Sequence, residues 1–219
     1  MSTRHCDRRK LLVGAGSIGM LAACSAGGDE ADVGAVEDLM REHGVIRRTI
    51  LVYRAAATQL RSGGTADLSA LKRAATLMKN FGEDYHERKL EEEHIFPQLK
   101  KAGGEGAAYV DVLLSQHQKG REITAQILAA TDGSDKTQLA AILDAFELMY
   151  EHHAAREDTI VFPAWKKTMS EHQLSEMGEQ FEDIEKAQFG GDGFDKAVKE
   201  IGEIEQALGL ADIAQFTPR

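Results

Sequence analysis

From about residue 35 onward, apolar positions recur at three- and four-residue intervals and no stretch alternates in the β manner, so the chain predicts an all-α fold. The first run spans about Val36 to Ser62 and stops at Ser62-Gly63-Gly64. A second starts after Asp67, a residue suited to capping, and continues to Ala102 before Gly103-Gly104. The third covers about Ala107 to Thr131 and ends at Asp132-Gly133-Ser134; the fourth runs from about Asp135 to Met169. Four long runs with short breaks predict an up-down-up-down four-helix bundle over residues 36–169. Ser170-Glu171-His172-Gln173 reads as a capping box opening a fifth helix to about Phe189, and Gly190-Gly191-Asp192-Gly193 separates it from a sixth near Phe194 to Leu208. This extension, residues 170–219, is expected to cover the bundle and to help form a homodimer.

The first 35 residues have a different character. Residues 1–10 are basic, and Leu11 to Ala23 form an apolar stretch ending in small residues, the order of a secretory signal rather than a spanning helix. Asp7-Arg8-Arg9-Lys10-Leu11-Leu12 resembles a twin-arginine export signal, and Leu21-Ala22-Ala23-Cys24 resembles a lipobox. The resemblance implies a signal peptide over 1–23, lipid on Cys24, and a Gly-, Ala- and Asp-rich tether over 24–35. The expected product is an exported, membrane-anchored lipoprotein facing the periplasm or cell exterior. Twin-arginine routes carry folded cargo, which suits a protein whose metal is loaded before export.

Without that leader, 22 basic residues stand against 35 acidic ones, a balance that repels phosphate backbones and anionic lipid and argues against nucleic acid as a partner. Both cysteines, Cys6 and Cys24, precede the helical region, so that region has no thiol nucleophile and no internal disulfide.

The chemistry is carried by a repeat. His86-Glu87-Arg88-Lys89-Leu90-Glu91-Glu92-Glu93-His94-Ile95-Phe96-Pro97 aligns with His152-His153-Ala154-Ala155-Arg156-Glu157-Asp158-Thr159-Ile160-Val161-Phe162-Pro163. In each copy a His is followed five residues later by Glu, then by another acid, then by aliphatic-Phe-Pro. On a regular helix, residues five apart differ by about 140° in direction, so either a π-bulge or a metal between helices is needed to bring His86 and Glu91 together. The four-apart pair His153 and Glu157 is geometrically easier, but the symmetry of the repeat favours His152 and leaves His153 as the alternate.

Counting from loop midpoints near 65, 104 and 133, His43 lies 22 residues before the first and His86 21 after it. Glu91 is 13 before the second and His117 13 after; His117 is 16 before the third and His152 19 after. All four helices therefore bring a histidine or carboxylate to about one layer, as a metal site requires. Imidazole with carboxylate suits iron, with zinc or manganese next.

These residues, together with Glu42-His43 and Gln116-His117, resemble the hemerythrin family in the form of its HHE cation-binding domain, over about residues 36–168. The resemblance implies a di-iron centre bridged by carboxylates, with His43, His86, Glu91, His117, His152 and Glu157 as ligands and His153 as the alternate. It implies binding or sensing of oxygen, nitric oxide or a related small oxidant, more as a binding protein than as an enzyme. The competing readings are a di-iron oxidase or peroxidase and a structural helical lipoprotein without functional metal. Arg121 stands where oxygen carriers of the family have a second histidine on the third helix, which points to water or an extra carboxylate such as Glu87 or Glu92 at the centre. Glu91-x-x-His94 has the spacing of ferritin-like di-iron proteins but occurs once; His172 is expected in solvent, and Tyr85 and Tyr150 flank the ligand positions.

Overall fold

The computed structural model describes residues 33–132 and 138–218, and every regular element among them is helical. Cys24, the expected export signal and most of the expected tether lie outside the described residues. Helix α1 is Ala35–Arg61. Helix α2 is continuous but not uniform: α-helical over Leu68–Leu77, π-helical over Met78–Ile95, and α-helical again over Phe96–Ala102. A single turn, Gly104–Ala107, leads to α3, Val110–Asp132. Helix α4 is α-helical over Leu139–Arg156, π-helical over Glu157–Val161, and α-helical over Phe162–Lys166. Helices α5, Glu171–Phe189, and α6, Gly193–Ala207, precede a final 3-10 turn at Ile213–Phe216.

Local chemistry sets these boundaries. The Asp67 carboxylate accepts from the amides of Ser69 and Ala70 at 2.9 and 3.0 Å, satisfying donors that the first turn of α2 leaves free. Gly103, with φ 74°, ends the helix in a conformation that a side chain would strain. The capping box of α5 forms as its sequence predicts: Ser170 Oγ accepts from the Gln173 amide, and Gln173 Oε1 accepts from the Ser170 amide at 2.9 Å. Gly190 closes α5 in the left-handed conformation.

The π-helical segments extend the π-bulge that the five-residue His86–Glu91 spacing admits, where periodicity alone predicts regular helices. Pro97 and Pro163 lie one residue beyond them, and the residue before each proline donates its amide five residues back, Phe96 to the carbonyl of Glu91 and Phe162 to that of Glu157. Proline cannot continue the α-helical ladder, and the widened turns absorb that break without ending the helix.

The four long helices close a ring of contacts, α1 against α2 and α4, and α3 against the same two. Their apolar faces meet in one core that includes Leu39, Ile46, Tyr53, Phe81, Ile127, Phe146 and Trp165, all essentially inaccessible. Helices α5 and α6 lie over α1 and α2. Phe181 of α5 stacks on Trp165 with centroids 5.8 Å apart, and Phe189 meets Tyr85 edge-on at 5.1 Å. Arg48 of α1 donates two hydrogen bonds to Glu205 of α6, at 2.9 and 2.6 Å. Among the described residues no helix is long and apolar enough to cross a membrane.

Candidate metal centre

Inside the ring, five residues that the repeat and its partners single out converge: His43 from α1, His86 and Glu91 from α2, His117 from α3 and Glu157 from α4, each essentially inaccessible. Donor atoms of His43, His86 and Glu91 all lie within 4.8 Å of one another, and so do those of Glu91, His117, His153 and Glu157. Two adjoining groups sharing a carboxylate have the form of a two-ion site. Glu91 spans them, with Oε1 3.5 Å from His86 Nε2 and Oε2 3.2 Å from His117 Nε2. Glu157 reaches both groups through a single oxygen, its Oε2 lying 3.5 Å from His43 Nε2 and 2.9 Å from His153 Nε2.

The fourth imidazole is His153, and the preference for His152 is corrected. His152 is exposed, with its Nδ1 facing Arg156 at 3.1 Å, whereas His153 is buried. The Phe-Pro alignment assumed equal helical pitch in the two copies. His86 and Glu91 both lie within the π-helical part of α2, where a five-residue step returns to the same face; His153 lies in the α-helical part of α4, where a four-residue step does so.

Each imidazole presents Nε2 to the centre and is held from behind at Nδ1 by a different helix. His86 donates to Glu42 at 2.6 Å, His117 to Glu92 at 2.9 Å, His153 to Gln116 Oε1 at 3.0 Å, and His43 to Asp158 at 2.7 Å. The holders form a closed cycle: α1 holds the histidine of α2, α2 that of α3, α3 that of α4, and α4 that of α1. Sequence reasoning quoted all four residues but assigned only Glu92 a place at the centre. The available signal was the pairing itself: Glu42-His43 matches Gln116-His117, and Glu91-Glu92 matches Glu157-Asp158. Adjacent helical residues point about 100° apart, so one of each pair faces inward and the other reaches a neighbouring helix.

The repeat's phenylalanines complete the arrangement. Phe96 stacks on His117 at 5.4 Å and Phe162 on His43 at 5.3 Å, so each Phe-Pro copy covers the imidazole of the next helix.

Electrostatics show what the centre lacks. His43 Nε2, His86 Nε2 and all four oxygens of Glu91 and Glu157 are buried without a hydrogen-bond partner. Burial opposes protonation of His86, yet Glu91 and Glu42 overcome it and lift its pKa well above the usual value; burial likewise opposes His117, which Glu87, Glu91 and Glu92 lift. Burial and the nearby His117 push His153 down to about 4. Burial raises Glu157, reinforced by Glu91, whereas Glu91 is itself lowered because His86 and His117 outweigh its own desolvation. Positive charge is therefore in demand among inward-facing lone pairs, and protons or a metal cation would supply it. The Nδ1-held, Nε2-inward imidazoles and bare carboxylates fit a cation with mixed nitrogen and oxygen ligands.

Arg121 occupies the outer wall, where its guanidinium pairs with Glu92 and reaches Glu87 at 3.3 Å. Burial pushes the Glu87 carboxyl up to about 7. His94 lies apart, its ring 5.8 Å from Phe181 on the cover, and His172 is exposed beside Glu176.

Comparison with known proteins agrees with this geometry. Residues 34–165 match the family model described as the hemerythrin HHE cation binding domain. Uncharacterized proteins of Mycobacterium bovis and Mycobacterium tuberculosis are 43% identical over 195 residues, covering 86% of this chain and 76% of each relative. No solved structure gives a significant match.

Proposed function

The chain belongs to the hemerythrin HHE cation-binding family, and on that premise we propose that it is a non-haem di-iron protein that binds or senses a small oxidant, oxygen and nitric oxide among them. In this reading the long helices form an up-down-up-down bundle, His43 and His86 hold one ion, His117 and His153 hold the other, and Glu91 and Glu157 bridge the pair. Iron bound there would supply an electron-rich centre for a diatomic or peroxidic ligand. The chain's own contribution is to aim four imidazoles through their Nδ1 partners and to exclude water with Phe96 and Phe162. Four histidines leave fewer nitrogen donors than two six-coordinate ions would use, which favours an open position for an exogenous ligand.

The observation that carries this reading is the set of buried, partnerless lone pairs on His43, His86, Glu91 and Glu157. Metal analysis of untagged protein tests it, with absorbance followed as the reduced protein meets oxygen. Two irons per chain and a new charge-transfer band are expected; substoichiometric metal with an unchanged spectrum overturns it.

The basic-apolar leader and the Leu21-Ala22-Ala23-Cys24 sequence further support export and anchoring through lipid on Cys24, with the centre loaded before transport. Mass spectrometry of the membrane fraction, comparing wild type with Cys24→Ser, tests the anchor. Dimerisation through α5 and α6 is part of the same proposal and is read by analytical ultracentrifugation.

A further inference from the structure

Two of the four groups that hold the imidazoles are themselves gripped, and in the same way. Asp158 accepts from His43 Nδ1 through Oδ1 and from Arg47 Nη2 through Oδ2, each at 2.7 Å. Glu92 accepts from His117 Nδ1 at 2.9 Å and from the Arg121 guanidinium. Arg47 stands four residues beyond His43 on α1, and Arg121 four residues beyond His117 on α3. A four-residue step returns to the same helix face, so each histidine and its arginine reach one carboxylate on a neighbouring helix together. That carboxylate stands four residues before the phenylalanine that stacks on the same imidazole, Asp158 before Phe162 and Glu92 before Phe96.

The first and third helices thus carry Glu42-His43-x-x-x-Arg47 and Gln116-His117-x-x-x-Arg121, a second repeat that answers the Phe-Pro repeat of α2 and α4. Arg121, which departs from the oxygen carriers of the family, has its counterpart in Arg47.

Both arginines sit where their own hydrogen bonding is incomplete. The Nε of Arg47 and that of Arg121 are each buried without a partner, although the side chains are 40% and 18% exposed. A guanidinium free to turn would satisfy that donor in water, so its orientation is set by the carboxylate it grips. The grip is found where it is needed. Glu42 is buried and fixed by packing, whereas Asp158 and Glu92 lie nearer the surface, where a carboxylate left to itself turns toward water.

We propose that Arg47 and Arg121 are positioning residues, one for each half of the centre: Arg47 fixes the Nδ1 acceptor of His43, and Arg121 that of His117. The proposal rests on the di-iron reading and says how the two halves are kept in order. Neither arginine touches the metal; each acts through a carboxylate on an imidazole. Partly exposed ion pairs add little to stability, so the effect falls on the loaded centre and not on the folding of the metal-free chain.

The test uses the full chain loaded with iron(II) under argon, with Arg47→Gln and Arg121→Gln as variants. Arg54→Gln is the control, since it breaks another ion pair between α1 and α4, with Glu147, eleven residues beyond His43. Proton NMR reads the paramagnetically shifted Nδ1–H signals of the four imidazoles, each exchanging with water at a rate that its acceptor governs, and competition with a chelator gives the iron affinity. Arg47→Gln is expected to speed the exchange of one signal and Arg121→Gln that of a different one, with iron affinity lowered about tenfold in each. The metal-free variants should melt within about 3 °C of wild type. Arg54→Gln should leave all four signals and the affinity at wild-type level. Signals and affinity within about twofold of wild type in both variants, the same effect from Arg54→Gln, or all four signals exchanging faster together overturns the proposal while leaving the di-iron reading in place. Wild-type protein that binds no iron overturns both.

Discussion

His117 and His153 present their Nε2 atoms to each other at 3.3 Å, while each donates its Nδ1 proton to an acceptor on another helix. A proton on one of the two nitrogens, or a metal cation beside them, relieves the repulsion their lone pairs would otherwise meet at that distance. Their rings are held in this opposition from behind, so the imidazoles are oriented for a metal by the helices themselves.

Removing metal should therefore lower stability. A ligand bound only by the folded state at about 1,000 times its dissociation constant adds about 4 kcal/mol, and for a domain of this size each kcal/mol moves the midpoint by roughly 2–4 °C. Differential scanning calorimetry with and without a strong chelator should show the melting temperature falling by roughly 10 °C. An unchanged midpoint would separate the histidine cluster from metal binding.

The adjacent histidines on α4 give a sharper test. His153→Ala should lower the metal content measured on the purified protein, because it deletes a buried donor 2.9 Å from Glu157. His152→Ala should leave both metal content and stability at wild-type level, within ~0.5 kcal/mol, since His152 is exposed. The opposite pattern would restore the symmetric alignment of the two Phe-Pro repeats.

That alignment marks the boundary of what the sequence discloses. Apolar spacing located the helices, the Ser170 capping box and the layer that His43, His86, Glu91 and His117 share, because burial and capping act through residues a few positions apart. The His86–Glu91 spacing admitted a π-bulge, but neither a π-helical stretch as long as Met78–Ile95 nor the difference in pitch between the two repeats leaves a distinct periodic trace. The cycle of Nδ1 holders was hidden for another reason. Glu42 and His86 are 44 positions apart and His43 and Asp158 115 apart, so only the packing of helices reveals them as pairs.

A pH effect follows from Asp38, at the start of α1. Burial and the nearby Glu42 raise its carboxyl to about 7, against the lowering influence of Arg41. The unfolded chain ionises first, so between the ordinary carboxylate value of about 4 and the folded value the native state binds more protons, and stability falls as pH rises. Asp38→Asn should remove that slope, leaving stability near pH 4 unchanged. Near pH 8 it should stabilise the protein by on the order of 1 kcal/mol, the size being limited by the group's partial exposure. Urea titrations at the two pH values measure the difference, and a parallel decline in wild type and variant would contradict the assignment.

The cover helices reach the centre through a glycine. Gly193 opens α6, and a Cβ built there would stand 2.2 Å from Phe189 Cδ2 and 2.8 Å from its Cγ, too close for the ring to yield by rotating alone. Phe189 in turn packs on Tyr85 and Phe81, and Phe194 of α6 lies under the guanidinium of Arg41, the neighbour of Glu42, which holds His86 Nδ1. The sequence marked Gly193 only as part of a break between helices, because the requirement is for space against Phe189 and not for an unusual backbone angle. Gly193→Ala should cost about 1–3 kcal/mol in a denaturant titration, as overpacking does elsewhere. The double change Gly193→Ala with Phe189→Ala should recover part of the clash but loosen the cover over Tyr85. If the single variant is as stable as wild type, the cover does not press on α1 and α2 as these contacts require, and Glu42 must be kept in place by the helical ring alone.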